Sequence, residues 1–165
     1  MRNGMFQMEG EVRMQKTINK SVALFTGLFL SSAAMAVDLE VKTSGDYVSP
    51  ESVPGATTVD VAEAHSLWED RAYFVDPRKD SDWEAGRIPG AIHLIYDPGK
   101  GEQPMTESTL AEVVPKDADV VFYCNAEHCD RSAWSSALAA EWGWENVHYF
   151  RGGFPAWTAA GYPAE

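Results

Sequence analysis

From residue 58 onward, two kinds of segment take turns along this chain. Short apolar runs recur at 58–61, 72–75, 91–95, 120–123 and 147–150, each bounded by charged or turn-forming residues. That pattern predicts five strands. The stretches between them have helical composition. Helices are expected at 62–69, at 80–85 with Gly86 as the stop, and at 106–114 with Thr106 as N-cap and Pro115 as the stop. A further helix is expected over 132–142, where Ala133 and Ala137, and Trp134 and Leu138, lie four apart and Gly143 ends the run. The last short helix is expected at 154–160.

Strands that alternate with helices predict an α/β fold with a mainly parallel sheet of about five strands and helices on both faces. The run Val120-Val121-Phe122-Tyr123 is apolar throughout, as suits a strand covered on both sides. Crossovers in such a sheet are right-handed, and ligands bind beyond the carboxyl ends of its strands.

The first 36 residues read differently. Lys16 and Lys20 precede an apolar run at 22–30, and Ala34-Met35-Ala36 supplies small residues where a signal peptidase cuts. Residues 1–36 are therefore expected to be a signal peptide cut after Ala36, with Met14 as the true start, because Glu9 and Glu11 do not suit a basic leader. The alternative is an uncleaved anchor, but the run is short for a bilayer span. The two-lysine leader and its Ala-Met-Ala site look bacterial, so the expected destination is the periplasm, with no stable membrane insertion after cleavage. Residues 37–56, rich in Ser, Pro, Gly and acids, are expected to form an irregular lead-in to a single domain at 57–165.

The whole chain carries a formal charge of −12. Loss of the leader removes four basic and two acidic residues and brings it to −14. Such a surface argues against nucleic acid and anionic membranes as partners. An anion site would have to be local, built from backbone N–H groups and a few arginines.

The chemistry gathers at 119–132. Cys124 follows the apolar strand directly, a polar loop comes next, and a helix begins near Arg131-Ser132. Free N–H groups at a loop and helix start favour negative charge, so a Cys124 thiolate is stabilised there. Arg131 in a first helical turn opposes the helix dipole, which points to an anion-binding role. Asp76 and Arg78, near the end of the second strand, are expected to be structural, either forming an ion pair or hydrogen-bonding loops near the site. Cys124 and Cys129 are the only cysteines, too few for a disulfide scaffold. Cys129 is either a spectator or a second working thiol. As the latter it resolves an oxidised or persulfidated Cys124, or locks Cys124 in a disulfide. His128 between them does not complete an established zinc spacing, so no metal and no cofactor are expected.

Three segments resemble the rhodanese (sulfurtransferase) homology domain. Phe74-Val75-Asp76-Pro77-Arg78 with Trp83-Glu84-Ala85-Gly86-Arg87-Ile88-Pro89-Gly90-Ala91 is similar to the family's first signature. Val120 to Cys124, with Arg131-Ser132, resembles its active-site loop. The stretch from Asn146 through Gly152-Gly153, Trp157 and Gly161-Tyr162-Pro163 resembles its closing signature.

The resemblance implies sulfur transfer through a Cys124 persulfide. The partners would be a small sulfur-containing anion as donor and a thiol or cyanide as acceptor. Asn125, Ala126, Glu127, His128, Asp130, Arg131 and Ser132 would line the anion cradle. Three features depart from the family pattern. Six residues, none of them Gly, separate Cys124 from Arg131; Cys129 is additional; and Arg87 stands where the family usually has His. In this family loop length sets pocket size, and a longer loop goes with phosphate or arsenate. Two rivals therefore stand beside the sulfurtransferase. One is a non-catalytic or redox-gated binding module closed by a Cys124–Cys129 disulfide. The other is a phosphatase or arsenate reductase, which Tyr123 disfavours because those members carry His before the cysteine.

Overall fold

The computed structural model describes residues 47–165 apart from Glu102. The expected leader, its cleavage site and the first part of the lead-in lie outside the described residues. Five strands form one sheet: β1 (Thr57–Thr58), β2 (Tyr73–Asp76), β3 (Ile92–His93), β4 (Asp119–Tyr123) and β5 (Asn146–Phe150). Their order is β1-β5-β4-β2-β3, and every pairing is parallel. The helices are α1 (Val61–Glu69), α2 (Asp80–Ala85), α3 (Glu107–Ala111), α4 (Arg131–Glu141) and α5 (Gly153–Ala159). The fold is the α/β architecture that the alternating pattern predicts.

Strand β4 is the centre of the sheet, and its side chains divide between two cores. Val120 and Phe122 pack with Leu110 of α3, Ala139 of α4 and Val147. Val121 and Tyr123 pack on the other face with Ala64 of α1, Phe150 and Trp157 of α5. This two-sided burial is why the β4 sequence is apolar without alternation. Helix α4 turns Ser132, Ala133, Ser135, Ser136, Ala137 and Ala139 inward. These small side chains let the helix lie close to the sheet and bring its first turn to the end of β4.

The larger boundary differences from expectation are three, and two have a local reason. The first strand stops at Thr58 because Asp60 caps α1, accepting from the N–H groups of Ala62 and Glu63, while Glu63 reaches back to the Asp60 N–H. Val61 therefore begins the helix. Such a capping box contributes about 1 kcal/mol. The third strand is an edge of only two residues. Beyond it Leu94 and Tyr96 donate to the carbonyls of Asp76 and Pro77, at 3.1 and 3.2 Å, and carry the chain over the end of β2. Helix α3 ends at Ala111 rather than at 114.

Residues 47–56 contain neither helix nor strand, as expected of the lead-in, yet they are packed. Val53 and Ser49 are buried, and Val53 joins Ala133, Ala137 and Tyr149 in a small third cluster. Among the described residues no helix is long and apolar enough to cross a membrane.

Candidate active site

Cys124 is the first residue beyond the carboxyl end of β4 and is 1 % exposed. Neighbouring β2 ends beside it at Asp76, and β5 ends at Phe150 before the turn Arg151-Gly152-Gly153. The loop 125–130 rises from Cys124 and folds back through a single helical turn at Ala126–His128. Ala126 takes a φ of +62°, a left-handed conformation that L residues adopt at a cost. The Cys129 N–H donates to the Ala126 carbonyl at 3.1 Å and closes the turn. Cys129 is thereby returned to Cys124, and the two sulfurs are joined as a disulfide, with Cα atoms 6.1 Å apart. The bridged arrangement is one of the alternatives open from sequence.

Three sets of bonds hold this loop. Behind it, Arg78 places Nε and Nη2 on the Asp76 carboxylate at 2.6–3.0 Å, while Nη2 also donates to the Gly86 carbonyl at 2.7 Å. The remaining arm, Nη1, reaches the Asn125 side-chain oxygen at 3.1 Å. Asn125 in turn donates to Asp82 of α2 at 3.0 Å. Asp76 and Arg78 are almost wholly buried, so the expected pair exists and its link to the loop is Asn125. Burial works against the Arg78 charge, but the Asp76 carboxylate outweighs it and holds the guanidinium protonated. Burial, followed by the charge of Asp76, pushes the neighbouring Tyr123 phenol far up.

On the outer side lies the lead-in. Ser49 donates its N–H to the Glu127 carbonyl at 2.7 Å, and His128 Nδ1 lies 3.0 Å from the Tyr47 carbonyl oxygen. Arg151 donates to the Ser49 carbonyl at 3.1–3.2 Å and approaches the Glu127 carboxylate at 3.7 Å. Contacts of residues 47–49 with the loop could not be read from the sequence, because that lead-in carries no periodicity.

Arg131 opens α4, as expected, but its charge is engaged. It donates to the Tyr96 carbonyl at 2.6 Å and to the Asp97 carboxylate at 3.0 Å. The anion that offsets its clash with the helix dipole is the protein's own Asp97. Burial would raise the Asp97 carboxyl, but the Gly99 N–H, Arg131 and Lys100 outweigh it and hold it low. Asp130 precedes α4 without a side-chain cap bond, and its carboxyl is raised, chiefly by burial. Ser132 is buried in the first turn of α4. Glu127 and His128 point outward and are exposed. Among the described residues no group of three or more His, Cys, Asp or Glu side chains is placed to hold a metal ion.

The opposite wall is the β5–α5 turn. Gly153 (φ +59°) lies against the Cys124 carbonyl, where a Cβ would overlap it, and the Phe154 N–H donates to that carbonyl at 2.9 Å. The Gly-Gly pair of the closing signature is thus part of the site.

The model of the Rhodanese-like domain family matches residues 58–160. This chain belongs to that family. The match covers the first two motif segments and the third as far as Ala160, and places the chain among sulfurtransferase-related domains. The chain is 26% identical over 124 residues to Protein HIGH ARSENIC CONTENT 1, mitochondrial, of Arabidopsis thaliana, covering 73% of this chain and 72% of that protein. It is 31% identical over 94 residues to a tRNA uridine(34) hydroxylase of Erwinia tasmaniensis, covering 56% of this chain but 25% of the relative. Among solved structures, the Alr3790 protein of Anabaena sp. shares the fold at a TM-score of 0.54 and 23% identity, covering 65% of this chain and 90% of that one. RPA3614 of Rhodopseudomonas palustris, described as a possible tyrosine phosphatase, has a TM-score of 0.51 and 28% identity, covering 67% and 85%.

Proposed function

We propose that this rhodanese-like chain is a sulfurtransferase acting through Cys124, and that the Cys124–Cys129 bridge is its closed, oxidised form. The observation that carries this reading is the place of the Cys124 sulfur. It sits just beyond the central strand of a parallel sheet, enclosed between a folded-back loop and the first turn of α4.

In the dithiol form, the Cys124 thiolate attacks the outer sulfur of a donor such as thiosulfate. The S–S bond of the donor breaks, sulfite leaves with the bonding pair, and Cys124 carries a persulfide. A thiol or cyanide then takes the outer sulfur and Cys124 leaves as thiolate. Loop N–H groups of 125–130 and the start of α4 stabilise the charged sulfur. Export by the leader expected at 1–36 would put this work in the periplasm, where a bridge of this kind persists.

A phosphatase or arsenate reductase is less well supported. Tyr123 stands directly before Cys124, where the phosphatase-like members of the family carry His.

The test is intact mass before and after thiosulfate, with and without prior reduction. The reduced Cys129→Ser variant, which cannot close the bridge, should gain about 32 Da, one sulfur atom, and cyanide should remove it. Cys124→Ser should gain nothing. A gain that survives Cys124→Ser, or none in reduced Cys129→Ser, would defeat the reading.

A further inference from the structure

The bridge joins Cys129 to the Sγ of Cys124 itself, the atom through which a persulfide would be attached. Cys129 is therefore placed to attack the inner sulfur of that persulfide rather than the outer one. Its position does not depend on the bridge alone. The Cys129 N–H is bonded to Ala126, Asn125 is held by Arg78 and Asp82, and the Glu127 carbonyl is held by Ser49. Across the site Arg131 is fixed by Tyr96 and Asp97. None of these bonds involves a sulfur, so opening the bridge leaves the second thiol beside the first. A thiol so held acts at an effective concentration far above that of a free acceptor.

We propose that Cys129 is a resolving thiol, and that the chain reduces sulfane sulfur to hydrosulfide at the expense of a dithiol reductant. This rests on the sulfurtransferase reading above and adds the fate of the sulfur. Once Cys124 carries a persulfide, the Cys129 thiolate attacks Cys124 Sγ. The Cys124–Cys129 bond forms and the persulfide S–S bond breaks. The outer sulfur leaves with the bonding pair and a proton as hydrosulfide. The sulfane sulfur has gained two electrons and the two cysteines have lost them.

An external dithiol then restores the pair. Cys124 is 1 % exposed whereas Cys129 is half-buried, so the reductant attacks the Cys129 sulfur. Cys124 departs as a thiolate into the same stabilising pocket, ready for the next donor. The second thiol of the reductant resolves the mixed disulfide and carries the oxidation away. The partner is thus a protein or small molecule with two neighbouring thiols.

The test uses the full chain, reduced and then freed of reductant without oxygen, with one equivalent of thiosulfate. Wild type should release about one hydrosulfide per chain and finish about 2 Da lighter than the reduced protein. Cys129→Ser should keep about 32 Da, which cyanide removes, and release less than about a tenth as much hydrosulfide. Dithiothreitol should then support repeated release from wild type. A wild type that keeps its persulfide and releases no hydrosulfide, as the variant does, overturns the resolving role while leaving the sulfurtransferase standing. If neither protein takes up sulfur, the sulfurtransferase falls and the resolving role with it.

Discussion

Phe154 donates its N–H to the Cys124 carbonyl at 2.9 Å, and the residue before it, Gly153, approaches so closely that a Cβ there would overlap the same carbonyl. The β5–α5 turn is therefore a template for the start of the loop that follows Cys124. Gly153→Ala combines overlap with a φ of +59°. Overpacking costs about 1–3 kcal/mol, and the left-handed conformation about 1–2 more. The variant should lose roughly 2–5 kcal/mol in urea titration, and its reduced form should take up sulfur more slowly. Wild-type stability in this variant would mean that the turn yields freely and shapes nothing.

Asp76 and Arg78 form a buried pair that reaches the loop through Asn125. Removing one member strands the other charge, so Arg78→Met should cost about 3–5 kcal/mol. The double variant Asp76→Leu with Arg78→Met removes both charges and should recover part of that loss. It should still transfer sulfur poorly, because Asn125 is no longer held. Equal stability of single and double variants, by chemical denaturation, would show that the pair is not energetically coupled.

The sheet was legible because β4 and β5 are short apolar runs set between helices, and the Cys124 position followed from the end of β4. The pairing of Asp76 with Arg78 was legible because they are neighbours in sequence. What escaped was set by contacts between distant segments. Arg131 reads as a free anion binder until Asp97, 34 residues away, is placed against it. The lead-in reads as irregular, and is, yet Ser49 supports Glu127 across the fold. The third strand reads as five residues because its apolar pattern continues, but beyond Ile92–His93 those side chains serve a chain that bends over Asp76 and Pro77. Cys129 stayed ambiguous because only the backbone turn at Ala126 decides whether a loop this short returns to its start.

That turn gives a test of its own. Ala126 holds a φ of +62° without being glycine. Ala126→Gly removes the steric cost but adds freedom to the unfolded chain, and the balance should favour the variant by about 1 kcal/mol. Thermal midpoints of the reduced proteins are the cleanest measure, because the bridge then contributes nothing. A destabilised variant would mean that the Ala126 methyl makes contacts worth more than the backbone cost.

Asp130 precedes Arg131 in the chain and Asp97 bonds it from across the fold, and their pH dependences should oppose one another. Burial raises the Asp130 carboxyl above its ordinary 3.8, so the folded chain binds that proton more tightly than the unfolded chain. Its stabilising contribution is complete below the ordinary value and is lost as pH rises through the raised one. Asp130→Asn should therefore be more stable than wild type near about pH 7, with the gain shrinking toward about pH 4. For Asp97, burial is outweighed by the Gly99 N–H, Arg131 and Lys100, and the carboxyl is held below 3.8. Its contribution is present above the ordinary value and is lost as pH falls through the lowered one. Asp97→Asn should accordingly be less stable than wild type near neutrality, with the deficit closing in acid. Thermal midpoints of both variants at the two pH values decide the matter, and a shift of the same sign for both would show that Arg131 does not distinguish the two carboxylates.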